Sequence, residues 1–183
     1  PPRSTLFPYT TLFRSTINRS QFLSGDFKGL HRSIRPPWAV AEALFIDRCT
    51  RCGECIAVCP YNIIREGRGK FPLVDFSLHG CDFCRRCVDI CETKALCRDP
   101  DVEAAPWSLK ATILPACLSL NAVICRSCGE VCEERAISFR LEPGGIARPD
   151  IDTESCTGCG ECFAVCPVKA VEISPSGPDT RAA

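Results

Sequence analysis

The sequence predicts a small α+β protein made of two tandem cysteine-rich modules that follow a basic N-terminal arm. Cysteine accounts for 17 of the 183 residues, a share at which a disulfide scaffold or a metal framework becomes the leading interpretation. Most of these cysteines lie in four short clusters, and a similar short segment follows each cluster, so the chain repeats internally. A stretch that carries prolines and acids separates the second cluster from the third and divides the repeat into two halves.

The cysteine clusters define four motifs. Motifs one, two and four have the spacing C-x2-C-x2-C-x3-C, and motif three has a longer interval before its last three cysteines. The members are Cys49, Cys52, Cys55 and Cys59 in motif one; Cys81, Cys84, Cys87 and Cys91 in motif two; Cys117, Cys125, Cys128 and Cys132 in motif three; and Cys156, Cys159, Cys162 and Cys166 in motif four. Cys97 falls outside all four motifs and is expected to pack as a small apolar residue.

The motifs set the expected domain organisation. Residues 1–15 repeat Thr-Leu-Phe without helical or strand periodicity and resemble a translated sequencing adaptor, so they are expected to be foreign to the protein. A genuine disordered extension is the alternative. The rest of the chain divides into a basic arm at 16–38, a first module at 39–97, a linker at 98–108, a second module at 109–175 and a disordered tail at 176–183.

The segments after the fourth cysteines predict the local fold. Each segment ends in a pair of small or apolar residues that is expected to enter a shared core, and a short helical turn is expected to carry each fourth cysteine. The segments are PYNII (60–64), ETKAL (92–96), EERAI (133–137) and PVKAV (167–171). Near-alternation of polar and apolar residues predicts strands at 73–76 and 137–140.

The spacing C-x2-C-x2-C-x3-C-P is the bacterial ferredoxin signature for iron–sulfur clusters. Three thiolates of one motif bind one cluster and the fourth binds the neighbouring cluster, so motifs work in pairs. We therefore expect two dicluster ferredoxin-like modules with four [4Fe–4S] clusters, whose iron is bound by four sets of cysteines. Set one is Cys49, Cys52, Cys55 and Cys91; set two is Cys81, Cys84, Cys87 and Cys59; set three is Cys117, Cys125, Cys128 and Cys166; set four is Cys156, Cys159, Cys162 and Cys132.

Two other interpretations of the cysteines fit less well. A disulfide framework normally uses an even number of cysteines and spreads them so that bridges close long loops, whereas these are odd in number and bunched. A structural zinc site would use pairs of C-x2-C, which leaves the third cysteine of each run without a role. In motif three, a loop of seven residues separates Cys117 from Cys125, and the alternative there is a structural thiol at Cys117 beside an incomplete cluster.

Residues between the cysteines have expected roles as well. Arg85 and Arg86 place positive charge inside motif two, where it would favour the reduced form of a bound cluster; two solvated arginines are the alternative. Glycines beside the cysteines are expected to let the backbone approach the cluster sulfurs closely. They are Gly53, Gly129, Gly158 and Gly160.

Composition excludes several classes of function. The formal net charge is zero, so no bulk attraction to nucleic acid is expected. No apolar run approaches the roughly 20 residues that a membrane-spanning helix requires. A nucleotide-binding glycine loop and a Ser/His/Asp set are both missing from the sequence, so we expect an electron-transfer or assembly protein rather than an enzyme.

Residues 16–175 resemble the ferredoxin-type NapF proteins of the periplasmic nitrate reductase system. The resemblance rests on Arg19 and Phe22-Leu23, on IRPPW (34–38), on CTRC (49–52), on FPLVDF (71–76) and on the irregular motif three. It implies a cytoplasmic protein that acts on the precursor of the catalytic nitrate reductase subunit before export, as a maturation or cluster-supplying factor. One departure is Ser20, where the family tends to carry a second arginine.

Two functional classes remain open at this point. The first is an assembly factor that gives an unfinished partner electrons or iron–sulfur material. The second is a general polyferredoxin that passes single electrons to an oxidoreductase. Both need clusters, and the basic arm together with the family resemblance favours the first. The basic residues of the arm are expected to seek acidic groups on the partner, and Phe22-Leu23 to supply an apolar anchor. These basic residues are Arg19, Lys28, Arg32 and Arg35.

Overall fold

The computed structural model describes residues 34–98, 105–144 and 146–176. The chain divides into two units, Pro1–Arg32 and Ser33–Ala183, and every described residue belongs to the second. The predicted head at 1–15, most of the arm, the middle of the linker and almost all of the tail therefore lie outside the described residues. Within the described ranges, no helix is long and apolar enough to cross a membrane.

The first half consists of short elements. Helix α1 (Glu42–Arg48) precedes motif one, and α2 (Glu54–Ala57) lies within it. Strands β1 (Ile64–Glu66) and β2 (Pro72–Val74) pair antiparallel, with Ile64 opposite Val74, and a 3-10 turn at Arg68–Lys70 joins them. Helix α3 (Arg86–Asp89) lies within motif two.

The second half contains longer strands. Strand β3 (Leu109–Ile113) pairs antiparallel with the last strand, β6 (Val171–Pro175). Between them, β4 (Ile137–Glu142) and β5 (Ile146–Ile151) form an antiparallel hairpin. A 3-10 turn at Ser119–Asn121 and helix α4 (Ser127–Glu130) belong to motif three, and α5 (Glu161–Ala164) belongs to motif four.

Both halves follow one plan, which confirms the internal repeat. In each half the entering segment pairs with the leaving segment, and a hairpin lies between the two motifs. In the first half this outer pairing is reduced to a bridge between Ala39 and Leu96, with the amide of Val40 donating to the carbonyl of Ala95. In the second half it is the full β3–β6 ladder.

The apolar pairs that end the four repeated segments are all buried, as predicted. Their exposed fractions run from 1% to 8%. The pairs are Ile63-Ile64, Ala95-Leu96, Ala136-Ile137 and Ala170-Val171. Strands overlap both predicted ranges: Pro72–Val74 overlaps 73–76 in part, and Ile137–Glu142 contains all of 137–140.

The expected position of the helical turn was wrong. Each of α2 to α5 contains the third cysteine of its motif and ends before the fourth. The fourth cysteine lies two residues after each helix, where its carbonyl accepts the hydrogen bond of the following turn. The sequence offered no separate signal for this difference, since four-residue helices lack a full hydrophobic period.

Residues 34–38, which were assigned to the arm, pack into the first half. Pro36 and Pro37 are fully buried. The Arg35 guanidinium donates to both carboxylate oxygens of Glu42, at 2.6 and 3.0 Å, and lies over the ring of Phe45 at 4.8 Å. Arg35 is therefore an anchoring residue of the fold, which corrects its assignment to a recognition arm.

The two halves share a hydrophobic core. Phe76 from the first half lies edge-on to Trp107, with ring centroids 5.8 Å apart. The buried Trp107 donates from Nε1 to the carbonyl of Thr157 in motif four at 2.9 Å. The end of the predicted linker is thus packed, while the proposed division of the chain into two modules stays a prediction.

We expect Leu96→Ala to lower the free energy of unfolding by about 2–5 kcal/mol, because the fully buried leucine side chain would leave a cavity. Leu78→Ala is the matched control, since Leu78 is 65% exposed, and its effect should stay within about 0.5 kcal/mol. Anaerobic urea unfolding of both variants measures the difference. Equal losses for the two variants would contradict the shared core.

Candidate metal centres

In motifs one, two and four, the residues directly before and after the second cysteine have positive φ, the left-handed backbone conformation. Positive φ brings successive thiols to one side of a tight loop, and it favours glycine because other residues lose about 1–2 kcal/mol there. The residues involved are Arg51 and Gly53, Phe83 and Arg85, and Gly158 and Gly160. Three of the four glycines singled out from the sequence occupy these positions, whereas Gly129 does not have positive φ. Their expected close approach to the cluster sulfurs stays a prediction.

A second turn follows every fourth cysteine. The residue three positions later has positive φ, between 49° and 56°, and its amide donates to the carbonyl of the cysteine at 3.0–3.2 Å. These residues are Asn62, Lys94, Arg135 and Lys169. The turn starts the segment whose apolar pair enters the core, so burial of the pair and placement of the fourth thiol depend on the same bend. None of these four residues was identified from the sequence.

Two cavities bring three cysteines of one motif together with the fourth cysteine of its partner. One is lined by Cys59 of motif one with Cys81, Cys84 and Cys87 of motif two, which is set two. The other is lined by Cys117, Cys125, Cys128 and Cys166, which is set three. Apolar side chains complete the lining of both, among them Ile63 and Ile64 in the first and Ile113 and Val171 in the second.

Within set one, and likewise within set four, the thiols lie near one another. Burial raises the pKa of Cys55 to about 11, and Cys49, Cys52 and Cys91 raise it further through repulsion between thiolates. Burial likewise raises the pKa of Cys162 to about 12, with contributions from Cys159, Cys156, Cys128 and Cys132. Cys91 thus lies beside motif one, and Cys132 lies beside motif four.

The donor set fits iron–sulfur clusters. Burial raises the pKa of Cys81 and of Cys87 to about 12, so their thiolates need positive charge nearby, which iron supplies while protons are released. Amides donate toward the sulfur atoms of Cys81, Cys91 and Cys166 at 3.2–3.4 Å, and such bonds stabilise a thiolate ligand.

A single metal ion would require a different arrangement. In the described part of the chain, no group of three or more His, Cys, Asp or Glu side chains could hold one ion. A four-iron cluster is larger than an ion and spaces its four cysteine ligands farther apart than zinc, which binds sulfur at about 2.3 Å.

The long interval in motif three is closed by a compact loop. Asn121 donates from Nδ2 to the carbonyls of Pro115 and Cys117, both at 2.8 Å, and the buried Ser119 hydroxyl donates to the carbonyl of Ala147. The loop returns the chain so that Cys125 lines the same cavity as Cys117. The spacing alone did not reveal Ser119 and Asn121, since their bonds depend on the folded loop.

Three other expected residues can be placed. Arg85 and Arg86 line the cavity of set two, and both are exposed. The expectation that their charge favours the reduced form of a bound cluster therefore stays a prediction. Cys97 is exposed, and the expectation that it packs as an apolar residue was wrong. It directly follows the buried Leu96 of the bridged segment, and successive side chains of an extended segment point to opposite sides.

Two models of a known protein family match the chain. The family model described as a 4Fe-4S dicluster domain matches residues 37–96, and a second model with the same description matches residues 123–170. The prediction of several 4Fe-4S clusters, two for each dicluster domain, is thereby confirmed.

Three relatives have similar sequences over most of the chain. The ferredoxin-type protein NapF of Escherichia coli K12 is 40% identical over 154 residues, which cover 84% of this chain and 92% of the relative. NapF of Haemophilus influenzae is 40% identical over 168 residues, covering 86% and 94%. The methylamine utilization ferredoxin-type protein MauM of Methylorubrum extorquens is 32% identical over 160 residues, covering 79% and 73%.

We expect anaerobically purified protein to hold about four clusters, hence about sixteen iron atoms for each chain, with little zinc. Chelation should also unfold the protein, because ligand bonds supply much of the folding energy in small cysteine-rich modules. Elemental analysis and circular dichroism measure the two effects. One or two zinc ions with little iron would contradict the assignment, as would an unchanged spectrum after chelation.

The crossed pairing predicts which cysteines become reactive when one ligand is lost. In Cys59→Ser, alkylation followed by mass spectrometry should find Cys81, Cys84 and Cys87 newly labelled, while set one stays protected. Cys91→Ser should expose Cys49, Cys52 and Cys55 instead. Cys97→Ser is the control and should leave the iron content unchanged. Labelling of Cys49, Cys52 and Cys55 in Cys59→Ser would show that each motif holds its own cluster.

Proposed function

The chain belongs to the family of ferredoxin-type NapF proteins, and from this membership we propose that it acts in the maturation of the catalytic subunit of periplasmic nitrate reductase before export. It would meet the precursor of that subunit in the cytoplasm and supply electrons or iron–sulfur material. We propose the sixteen cysteines of sets one to four as the cluster ligands.

One observation carries the redox part of the proposal: each fourth cysteine lies beside the three cysteines of the partner motif. Clusters bound in this way accept and donate single electrons. The protein's own residues bind them, keep them apart from one another and exclude water through the buried apolar pairs. Ile63 and Ile64, both 3% exposed, do this at set two.

The partner would be recognised by the arm. Arg19, Phe22-Leu23, Lys28 and Arg32 lie outside the described residues. Arg35 no longer belongs to this group because Glu42 and the carbonyl of Pro72 hold its guanidinium. Positive charge would mainly speed the encounter with an acidic surface, and the apolar anchor would slow dissociation.

The alternative function is that of a general electron carrier. One relative, MauM, is named for methylamine utilization, and this name is the observation that favours considering a function outside nitrate reduction. Cluster content cannot separate the two functions, since both need the same ligands. Only the behaviour toward the precursor separates them.

Deletion of residues 16–33 tests the proposed arm and leaves Arg35 in place. Iron content and reduction by dithionite should be unchanged, while capture of the nitrate reductase precursor weakens and its activity in cells falls. Affinity capture from anaerobic cytoplasm, with the intact chain as reference, measures the first effect. Arg35→Ala should instead lower thermal stability, because its ion pair and its stacking on Phe45 are lost.

If the shortened chain captures and matures the precursor as well as the intact chain does, the arm has no recognition role and the electron-carrier function gains support. If the intact chain itself fails to capture the precursor, the maturation proposal is wrong.

A further inference from the structure

Motif two and motif four touch through their backbones, although the chain positions are far apart. The amide of Cys81 donates to the carbonyl of Cys159 at 2.8 Å. The preceding amide, of Gly80, donates to Oε1 of Glu161 at 3.0 Å. A ligand of set two and a ligand of set four are thus joined directly by one hydrogen bond.

This contact is too close for an added methyl group. A Cβ at the buried Gly80 would lie 2.6 Å from the backbone nitrogen of Glu161 and 2.8 Å from the carbonyl oxygen of Cys159. On the other side of the contact, Gly160 leaves room for the ring of Phe76 in the same way. The two glycines therefore allow the two motifs to approach.

Aromatic residues form a second connection between the same motifs. Phe83 lies between two ligands of set two, and its ring centroid is 5.5 Å from that of Trp107. Trp107 in turn donates to the carbonyl of Thr157, which lies between two ligands of set four. Trp107 is 7% exposed, so this connection excludes water.

Within each half, the paired sets are already neighbours. The thiol of Cys87 in set two interacts with that of Cys55 in set one. The thiol of Cys162 in set four interacts with that of Cys128 in set three. The contact between motif two and motif four therefore links set two of the first pair to set four of the second pair.

We propose that the contact between motif two and motif four carries electrons between the halves, so that the cysteine sets form one line in the order one, two, four, three. The proposal holds whether the protein is an assembly factor or a carrier. It leaves sets one and three at the ends, where electrons enter and leave.

The route runs from Sγ of Cys81 through Cβ, Cα and the amide nitrogen, across the hydrogen bond, and through the carbonyl, Cα and Cβ of Cys159 to its Sγ. The step transfers one electron and no proton. Set two, which contains Cys81, gives up the electron and is oxidised, and set four, which contains Cys159, accepts it and is reduced. A one-electron donor of low potential, dithionite in the test, then returns an electron to set two. Transfer in the opposite direction uses the same atoms.

Variants at the contact test the proposal in the holoprotein. Glu161→Ala removes the acceptor of the Gly80 amide, and Gly80→Ala forces the two motifs apart. Glu161→Gln keeps an acceptor oxygen. Glu54→Ala is the matched control, because Glu54 occupies the same position in motif one and is exposed.

Hydrogen exchange and electron paramagnetic resonance are the readouts, together with iron content. In Glu161→Ala the amides of Gly80 and Cys81 should exchange up to about tenfold faster, the effect of losing roughly one hydrogen bond. The fully reduced protein should lose part of its spin–spin broadening, with iron content as in the wild type. Gly80→Ala should lose more of this broadening, and Glu161→Gln and Glu54→Ala should match the wild type.

The proposal is overturned if exchange accelerates in Glu161→Ala and Gly80→Ala while the spin–spin broadening stays at the wild-type level. Unchanged exchange in both variants overturns it as well, because the contact would then be absent in solution. Should Gly80→Ala fail to retain iron, Glu161→Ala against Glu54→Ala decides the result.

Discussion

The turn after each fourth cysteine is the constraint on which the rest of the structure depends. It places a non-glycine residue in the left-handed region in all four motifs, at a cost of about 1–2 kcal/mol each. The same turn places the thiol of the fourth cysteine beside the partner motif and directs the next apolar pair into the core. With the crossed pairing that we propose, neither motif of a pair would be completed without the other, and core burial and ligand placement would stabilise each other.

This coupling explains how a chain with such short helices and strands folds at all. Its helices within the motifs have four residues each, too few to be stable by themselves. Desolvation raises the pKa of thiols such as those of Cys81 and Cys162 to about 12, so without a cation their thiolates would be disfavoured. Iron removes that cost, and the closed core then excludes water from the clusters.

The packing between the halves has a different character from the packing within them. It depends on the absence of side chains at Gly80 and Gly160 and on the buried aromatic pair Phe76 and Trp107. Glycine is required at these two positions because the neighbouring atoms leave no room for a Cβ, and cluster chemistry does not impose this requirement. The anchoring of Arg35 between Glu42 and Phe45 is similar, since it ties the segment before the first motif to the core.

By itself, the sequence determined the cluster chemistry, the buried pairs such as Ala170-Val171 and the approximate positions of two strands, and it predicted the pairing of the motifs. All of these follow from spacing and apolar pattern within a few residues. Only the tertiary structure decided that the helices hold the third cysteine, that Arg35 is anchored, that Cys97 is exposed and that Asn121 closes the loop of motif three. The contact of Gly80 with Glu161 joins residues 81 positions apart, and no local pattern predicts it, because it depends on how closely two finished backbones can approach.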